Sequence, residues 1–444
     1  MKFRNTLMLL VLTAAVGAYV YFYEIKGGEK REKEKEAAGK LVDIKKDSVA
    51  AITLMPDGVE LKKTGGKWEL AAPVQYQADE GTVNSLLYSL ESAKRDREEI
   101  ASSAAEYANY GLDPARAELI VRHEQGQQDT LYLGDSNATS TAVYARLNHD
   151  PEVVLTAKGL ADNAKKPLLD WRNKDLLTFE TSEVNRLLLK TPSANFELKK
   201  EDGKWQMLAP IKTAADESKI SSILSRVRYG KIAEFTAEQM SDAKPYGLDK
   251  PNYEFTVFFG ANDAQKSISF GKRDGGHNYA YDPARPQVFK IDTSIVKDIN
   301  ISVMDMRNKK LAQFESWNAD YVELNYADTL KMVCEKDTSN NWQITSHQNR
   351  KAKSWKISNI TGGLSSLEAA AFVDEQAADL KKYGLDKPRA IVMIKQKGSE
   401  VATVLVGKEK GDRVYAKAAN SPAVVEVKKE DADKLFTTLT ELAE

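Results

Sequence analysis

The sequence has little of what enzymes and metal proteins use for chemistry. Its 444 residues include one cysteine and four histidines. A single cysteine, Cys334, excludes an internal disulfide framework and a cysteine zinc cluster. The net charge of −1 supplies no field that would attract nucleic acid. No HExxH, phosphate-binding glycine loop, nucleophile elbow or dinucleotide fingerprint is present. We therefore expect a protein that is not an enzyme and that uses no catalytic residue, cofactor or metal.

One long uncharged run lies near the N-terminus. Residues Thr6–Tyr23 are 18 residues without a charge. At about 1.5 Å per residue they are long enough to cross the hydrocarbon core of a membrane. The run ends in aromatic residues, as interfacial belts do. It predicts a transmembrane anchor over 6–23 after a cytoplasmic segment, 1–5. A cleaved signal peptide is the alternative, because Val16–Gly17–Ala18 offers small residues.

The charges on either side of the uncharged run indicate how the predicted anchor is oriented in the membrane. Lys2 and Arg4 precede the run and favour a cytoplasmic N-terminus, whereas the charged stretch 24–40 carries six basic residues that argue the other way. We prefer the first orientation, because short N-terminal anchors usually export the rest of the chain. The prediction is a single-pass protein of the inner membrane, with 24–40 as a stalk and the bulk of the chain on the periplasmic side.

The predicted anchor carries small residues on one helical face. Small residues let transmembrane helices approach closely, so this face is a candidate surface for docking among the spans of an integral-membrane partner. Anchors also tolerate such residues without any partner, and the sequence favours neither interpretation. The residues are Thr13, Ala14, Gly17 and Ala18.

Four markers recur three times in the same order. Successive members lie 135 to 137 residues apart, a period that chance does not produce for four markers together. They predict three tandem copies of about 135 residues, at 41–175, 176–310 and 311–444. The markers are Trp68, Trp205 and Trp342; Tyr110, Tyr246 and Tyr383; Gly134, Gly271 and Gly407; and Tyr144, Tyr279 and Tyr415.

Each copy has the pattern of an α+β unit. Alternating strands form a hairpin that presents the tryptophan, and a helix with an i, i+3, i+7 apolar stripe follows. Asp79 and Asp216 stand just ahead of the first two of these helices as N-cap candidates. A second helical stretch and four more strands complete the copy. The predicted fold class is therefore α+β: a single transmembrane helix followed by three α+β repeats with mainly antiparallel sheets.

The recurring phrase Tyr-Gly-Leu-Asp suits the end of a helix. Gly111, Gly247 and Gly384 fit the left-handed position that terminates a helix, and the leucine after each fits the residue that packs back on the last turn. A proline shortly afterwards directs the chain into a strand. We favour this structural interpretation over a ligand role for the aspartates, which are Asp113, Asp249 and Asp386.

A second phrase, "DWRNKDLLTF" and "DMRNKKLAQF", marks the ends of copies one and two. It places Arg172 and Arg307 at the seams between copies. Pairing with Asp170 and Asp305 would make these arginines structural. A functional groove at the seam, with the arginines as partner-binding residues, is the alternative.

The phrase "NRKAKSWK" in copy three replaces the acidic helix entry of the other copies. Lys351, Lys353 and Lys356 surround Trp355, together with Arg350. Such a set offers charge and stacking to an anionic partner, including an anionic envelope polymer. A solvated loop is the alternative.

The tryptophan hairpin, the YGLD-Pro turn and the Arg-Asn-Lys seam resemble the bacterial domain of unknown function 4340 over residues 41–444. The resemblance implies a membrane anchor, tandem α+β copies and association with gliding-motility-type ABC transporters. It supplies no catalytic or ligand residues. The expected function is a membrane-anchored extracytoplasmic scaffold or accessory subunit, acting by protein–protein interaction with an ABC-type transporter or another envelope machine. The alternatives are an envelope polymer-binding or adhesive protein and a hydrolase with a site between copies.

Overall fold

The computed structural model describes residues 12–14, 16–21, 23, 39–95, 100–260, 262–327 and 331–444. Thr13, Ala14, Gly17 and Ala18 are helical and exposed. The other residues of the predicted anchor, and the stalk residues 24–38, lie outside the described part. Among the described residues, no helix has the length and apolarity that a membrane crossing requires. The transmembrane helix of the predicted fold class is thus not found in the described residues, and part of its span, 6–23, lies outside them.

The chain forms two compact units. One comprises Met1–Leu176 with Lys231–Ala237, and the other comprises Leu177–Gly230 with Glu238–Glu444. The first unit holds the sheet of copy one, and the second holds the sheet of copy three and most strands of copy two.

The sheet of copy one has eight antiparallel strands in the order β4-β3-β2-β1-β5-β6-β7-β8. The central register places Ile52 opposite Leu61 and Val121, and all three side chains are buried. Gly65 and Gly66 both have positive φ between β2 and β3, as a two-residue hairpin requires. The strands are β1 Val49–Met55, β2 Val59–Thr64, β3 Lys67–Ala72, β4 Tyr76–Gln77, β5 Ala117–His123, β6 Gln128–Ser136, β7 Ala142–Leu147 and β8 Asp150–Ala157.

Copy two repeats this arrangement. Eight of its strands follow the order β12-β11-β10-β9-β14-β15-β16-β17 within the second unit. The strands of copy two are β9 Val184–Lys190, β10 Asn195–Glu201, β11 Lys204–Ala209, β12 Thr213–Ala214, β13 Ile232–Ala237, β14 Tyr253–Phe259, β15 Ala264–Asp274, β16 His277–Tyr281 and β17 Val288–Asp292.

The sheet of copy three has nine strands in the order β21-β20-β19-β18-β23-β24-β25-β26-β22. Its strands are β18 Tyr321–Tyr326, β19 Lys331–Lys336, β20 Trp342–Ile344, β21 Arg350–Lys351, β22 Ala371–Asp374, β23 Ala390–Gln396, β24 Ser399–Lys410, β25 Arg413–Ala418 and β26 Val424–Lys428.

Within the described residues, each copy has one helix of twelve residues and two shorter helices. The long helices bury an apolar stripe, such as Val83, Leu86 and Leu90 in copy one. Asp79 and Asp216 cap the first two through their side chains, whereas Lys353 at the equivalent position makes no cap hydrogen bond. The helices are α1 Glu80–Glu91, α2 Lys158–Ala164, α3 Leu168–Trp171, α4 Glu217–Arg228, α5 Thr293–Ile299, α6 Val303–Met306, α7 Ser354–Ser365, α8 Lys429–Asp433 and α9 Leu439–Leu442.

The predicted α+β class is wrong, because strands dominate the described chain. Three antiparallel sheets carry few helices. The second helical stretch predicted before each Tyr-Gly-Leu-Asp phrase is a 3₁₀ segment, at Ala104–Tyr110, Lys244–Tyr246 and Lys381–Tyr383. Hydrogen bonds in 3₁₀ segments have poorer geometry than those in α-helices, and such segments stay short. The sequence pattern thus predicted a helical stretch before each phrase where the structure has a 3₁₀ segment.

Candidate functional site

The Tyr-Gly-Leu-Asp phrase forms the same turn in all three copies. Its glycines have φ of +68°, +66° and +65°, at Gly111, Gly247 and Gly384. The leucine N–H that follows donates back to a carbonyl five residues earlier, as Leu385 does to Leu380 at 3.0 Å. These are the features of a left-handed helix end.

This turn packs against the recurrent glycine of a neighbouring strand. A Cβ built on Gly407 would lie 2.3 Å from the backbone oxygen of Tyr383, and the corresponding distances at Gly271 and Gly134 are 2.2 and 2.1 Å. Only glycine permits this approach of backbone to strand. Asp113, in contrast, is exposed, as are the aspartates at the equivalent positions in copies two and three. The role of the recurring phrase is therefore to hold the backbone of the turn against the neighbouring strand.

The seam arginines are buried beneath aromatic rings. Arg172 is 2% exposed, and its guanidinium carbon lies 3.4 Å from the centre of the Phe235 ring. Arg307 is 5% exposed, lies 3.2 Å from the Phe372 ring centre and donates two hydrogen bonds to Glu375, at 2.5 and 2.9 Å. Cation–π contact and a bidentate carboxylate favour arginine over lysine at such a position.

The aspartates expected to pair with these arginines bind lysines instead. Lys174 donates to Asp170 and Lys309 donates to Asp305, both at 2.9 Å. Neither seam arginine presents an open face to a ligand. These buried contacts, here called the latch, favour the structural interpretation of Arg172 and Arg307.

Copy three carries a basic face at the start of α7, defined here as Arg350, Lys351, Lys353, Trp355 and Lys356. Trp355 is 58% exposed, and the Lys356 ammonium lies 5.1 Å from the centre of the Trp355 ring. No salt bridge joins any of the four cations to an acidic side chain within the described residues. The first turn of α7 contains no acidic residue. The helix dipole therefore adds to the positive potential of this face.

Beside the basic face lies the copy-three groove, with a volume of about 440 Å³. The rings of Tyr326 and Phe436 stack in it, with centres 5.3 Å apart and planes 17° apart. The Tyr326 hydroxyl donates to the Leu435 carbonyl at 2.9 Å and accepts from the Thr437 N–H at 3.1 Å. Burial raises the pKa of Tyr326 to about 12, so the phenol stays neutral. The groove is lined by Tyr326, Ala327, Arg389, Phe436, Thr437, Thr438 and Glu441.

The polar walls of the groove carry opposite charges. Arg389 lies 5.2 Å from the Phe436 ring centre and donates to Glu409 at 2.6 Å. Glu441 accepts from the Thr438 N–H at 3.1 Å in a capping box of α9. This hydrogen bond, and then the nearby Lys356 charge, hold the pKa of Glu441 below its usual value. Glu441 is therefore ionised at neutral pH.

The groove and the basic face meet at Glu441. The Lys353 ammonium donates to the Glu441 backbone carbonyl at 3.3 Å, and the Lys353 N–H donates to Leu442 at 2.8 Å. These contacts place the N-terminus of α7 against α9. Lys353 and Lys356 of the basic face thus lie beside the groove.

A family model for a domain of unknown function (DUF4340) matches residues 68–251, 205–341 and 342–444. The chain belongs to the DUF4340 family. The three matches confirm the predicted family and the tandem repeats. No curated protein and no solved structure matches the chain.

The groove of the third DUF4340 copy is wider than the equivalent space of the first copy. In copy one the equivalent space, between Pro56 at the end of β1 and Lys165 after α2, has a volume of about 10 Å³. In copy two the Ser193 hydroxyl donates to the Ile301 carbonyl at 2.7 Å, and a space of about 340 Å³ lies beside Ile301.

Copy one contains a serine, a histidine and an aspartate in contact. His123 Nε2 lies 2.9 Å from Asp129, and His123 Nδ1 lies 3.3 Å from the Ser48 hydroxyl. The Ser48 hydroxyl donates to the Lys45 carbonyl at 2.7 Å. A nucleophilic serine must instead give its proton to the histidine. The three residues therefore tie β5 and β6 to the start of β1.

Sequence reasoning identified the basic face and missed the groove. Tyr326 ends a strand and Phe436 follows a helix, and neither recurs in the other copies, whereas Arg389 has a counterpart in Arg116 of copy one. A comparison of the three copies, position by position, would have found Tyr326 and Phe436 as departures from an otherwise repeated pattern.

Proposed function

We propose that this DUF4340 chain is a non-catalytic binding protein whose third copy recognises an acidic segment of a partner protein. The supporting observation is the basic face, where four cations that form no salt bridge within the described residues lie within five residues of the exposed Trp355, and Lys356 contacts its ring. Copies one and two serve as a scaffold. The resemblance carries the further proposal that the partner is a subunit of an ABC-type transporter or of another envelope machine, outside the cytoplasm.

The local charge, rather than the net charge, supports a protein partner. The chain as a whole carries −1, so it attracts no polyanion over long range. A patch of four cations acts within a Debye length of roughly 8 Å at physiological salt. That range suits a short acidic segment that docks directly on the patch. Tryptophan is also enriched at the energetic centres of protein interfaces.

The test compares co-purification of the wild-type chain and two charge-reversal variants from native membranes. The first variant carries Lys351→Glu, Lys353→Glu and Lys356→Glu. The control carries the same charge change at exposed lysines elsewhere, Lys67→Glu, Lys204→Glu and Lys250→Glu.

We expect wild type and control to recover the same partner in stoichiometric amount, and the basic-face variant to lose it. Retention of that partner by the basic-face variant would contradict the proposal. So would recovery of the chain on cell-wall polymer without any protein partner, which would favour the polymer-binding alternative.

A further inference from the structure

We infer that the copy-three groove holds an apolar anchor side chain of the same acidic segment that the basic face binds. This inference rests on the proposed function. It adds that recognition requires two features of the partner, a run of acidic residues and one large apolar residue beside it.

The composition of the groove suits an apolar side chain. Tyr326, Phe436 and Ala327 supply apolar lining, and the volume of about 440 Å³ lies within the usual range for ligand pockets. The charged side chains on its walls are already engaged, because Arg389 donates to Glu409 and Glu441 accepts from the Thr438 N–H.

The groove is also preformed. Tyr326 is held by hydrogen bonds on both sides of its hydroxyl and by the stacked Phe436. Arg389 is held by Glu409, which also accepts from Lys429 at 2.6 Å. A side chain that enters therefore finds the walls in place, and little ordering cost opposes its binding.

The location of the groove beside the basic face indicates the chemistry of its occupant. Glu441 lines the groove, and Lys353 and Lys356 of the basic face act directly on Glu441. A peptide whose anchor lies in the groove is therefore able to reach the basic face within a few residues. Acidic residues on that part of the peptide meet cations that form no salt bridge within the described residues, and this charge complementarity identifies the occupant as an acidic segment.

The experiment uses the full chain and fluorescein-labelled synthetic peptides, with binding measured by fluorescence anisotropy. In one series, a single Phe occupies successive positions of a peptide that otherwise contains Glu and Ser. A second series replaces the Phe by Ser, and a third replaces every Glu by Gln. The groove is filled in the variants Ala327→Trp and Ala327→Arg, since Ala327 is an exposed lining residue. Ala264→Trp, at an exposed alanine of copy two, is the matched control.

We expect at least one register of the acidic Phe series to bind about tenfold or more tightly than its Ser counterpart, as burial of an aromatic side chain implies. Both Ala327 variants should abolish this difference without weakening the acidic Ser peptides, and Ala264→Trp should preserve it. Thermal melting of each variant verifies folding.

The two claims fail in different ways. Equal binding of Phe and Ser peptides by the wild type, with no effect of Ala327→Trp, would overturn the groove inference and leave the basic face intact. Equal binding of the Glu and Gln series would overturn the proposed function. Binding of polygalacturonate with no binding of any peptide would overturn both claims.

Discussion

The ring of Tyr383 lies 5.1 Å from the ring of Tyr415, and this pair recurs in every copy. Tyr246 contacts Tyr279 at 5.1 Å, and Tyr110 contacts Tyr144 at 4.8 Å. Each pair joins the Tyr-Gly-Leu-Asp turn to a strand further along the chain. Aromatic pairs in such tilted geometries contribute about 0.5–1.5 kcal/mol beyond the area they bury. The threefold phrase is thus half of a packing interaction, and its other half is the second recurrent tyrosine.

The first prediction concerns the glycine beneath this turn. Gly407→Ala places a Cβ 2.3 Å from the Tyr383 oxygen, so the turn must shift. We expect a loss of about 1–3 kcal/mol in the free energy of unfolding, the usual range for overpacking. The matched control is Gly362→Ala within α7, where a Cβ meets nothing within 4 Å. That change should stabilise by roughly 1 kcal/mol, because alanine favours helix over glycine. Urea unfolding measures both, and equal effects of the two substitutions would refute the packing role.

The second prediction concerns the tryptophan hairpins. Trp68 and Trp342 are buried in separate hydrophobic clusters. We expect Trp68→Ala and Trp342→Ala each to destabilise by about 3–5 kcal/mol, since each leaves a large cavity. Hydrogen exchange, followed by mass spectrometry, should rise mainly in the mutated copy. A uniform rise in exchange over all three copies would instead indicate one continuous core.

The third prediction concerns the latch at the second seam. Arg307→Lys removes the two-pronged hydrogen bond to Glu375 and weakens the contact with Phe372. We expect a loss of about 1.5–3 kcal/mol, typical of a hydrogen bond to a charged group. Lys309→Ala breaks only the more exposed pair with Asp305 and should cost roughly 0–1 kcal/mol. Thermal melting compares the two. A smaller effect at Arg307 than at Lys309 would show that the latch does not stabilise the fold.

The fourth prediction concerns pH. The pKa of Glu441 is depressed in the folded chain, first by the Thr438 N–H and then by Lys356. Stability from a depressed carboxylate is present above its unfolded pKa of about 4.3 and is lost as the pH falls through the folded pKa. Glu441→Gln should therefore lower the melting temperature at neutral pH and make no difference in strong acid. Lys356→Gln should move the pH at which this difference disappears upward. If the difference in melting temperature between wild type and Glu441→Gln grew in acid, the pKa of Glu441 would not be depressed by folding.

Much of the repeat was visible in the sequence because it depends on local chemistry. Asp79 and Asp216 cap helices as their positions predicted, and the glycine of each turn has the positive φ that a helix end requires. The groove was not visible, because its residues are distant in sequence: the pairing of β18 with β23 brings Tyr326 near Arg389, and the packing of the segment after α8 adds Phe436. The helical content was overestimated, because a short 3₁₀ turn and an α-helix share the same end signal.

The central claim is that copy three, through its basic face, contacts the partner. Photo-crosslinking in cells tests it most directly. A photoreactive phenylalanine analogue replaces Trp355, and the same analogue replaces Tyr88 of copy one or Tyr229 of copy two, which are 68% and 72% exposed. We expect a specific crosslinked protein from position 355 alone, and its disappearance when Lys351, Lys353 and Lys356 are changed to glutamate. Crosslinks from positions 88 or 229 with none from 355 would contradict the account.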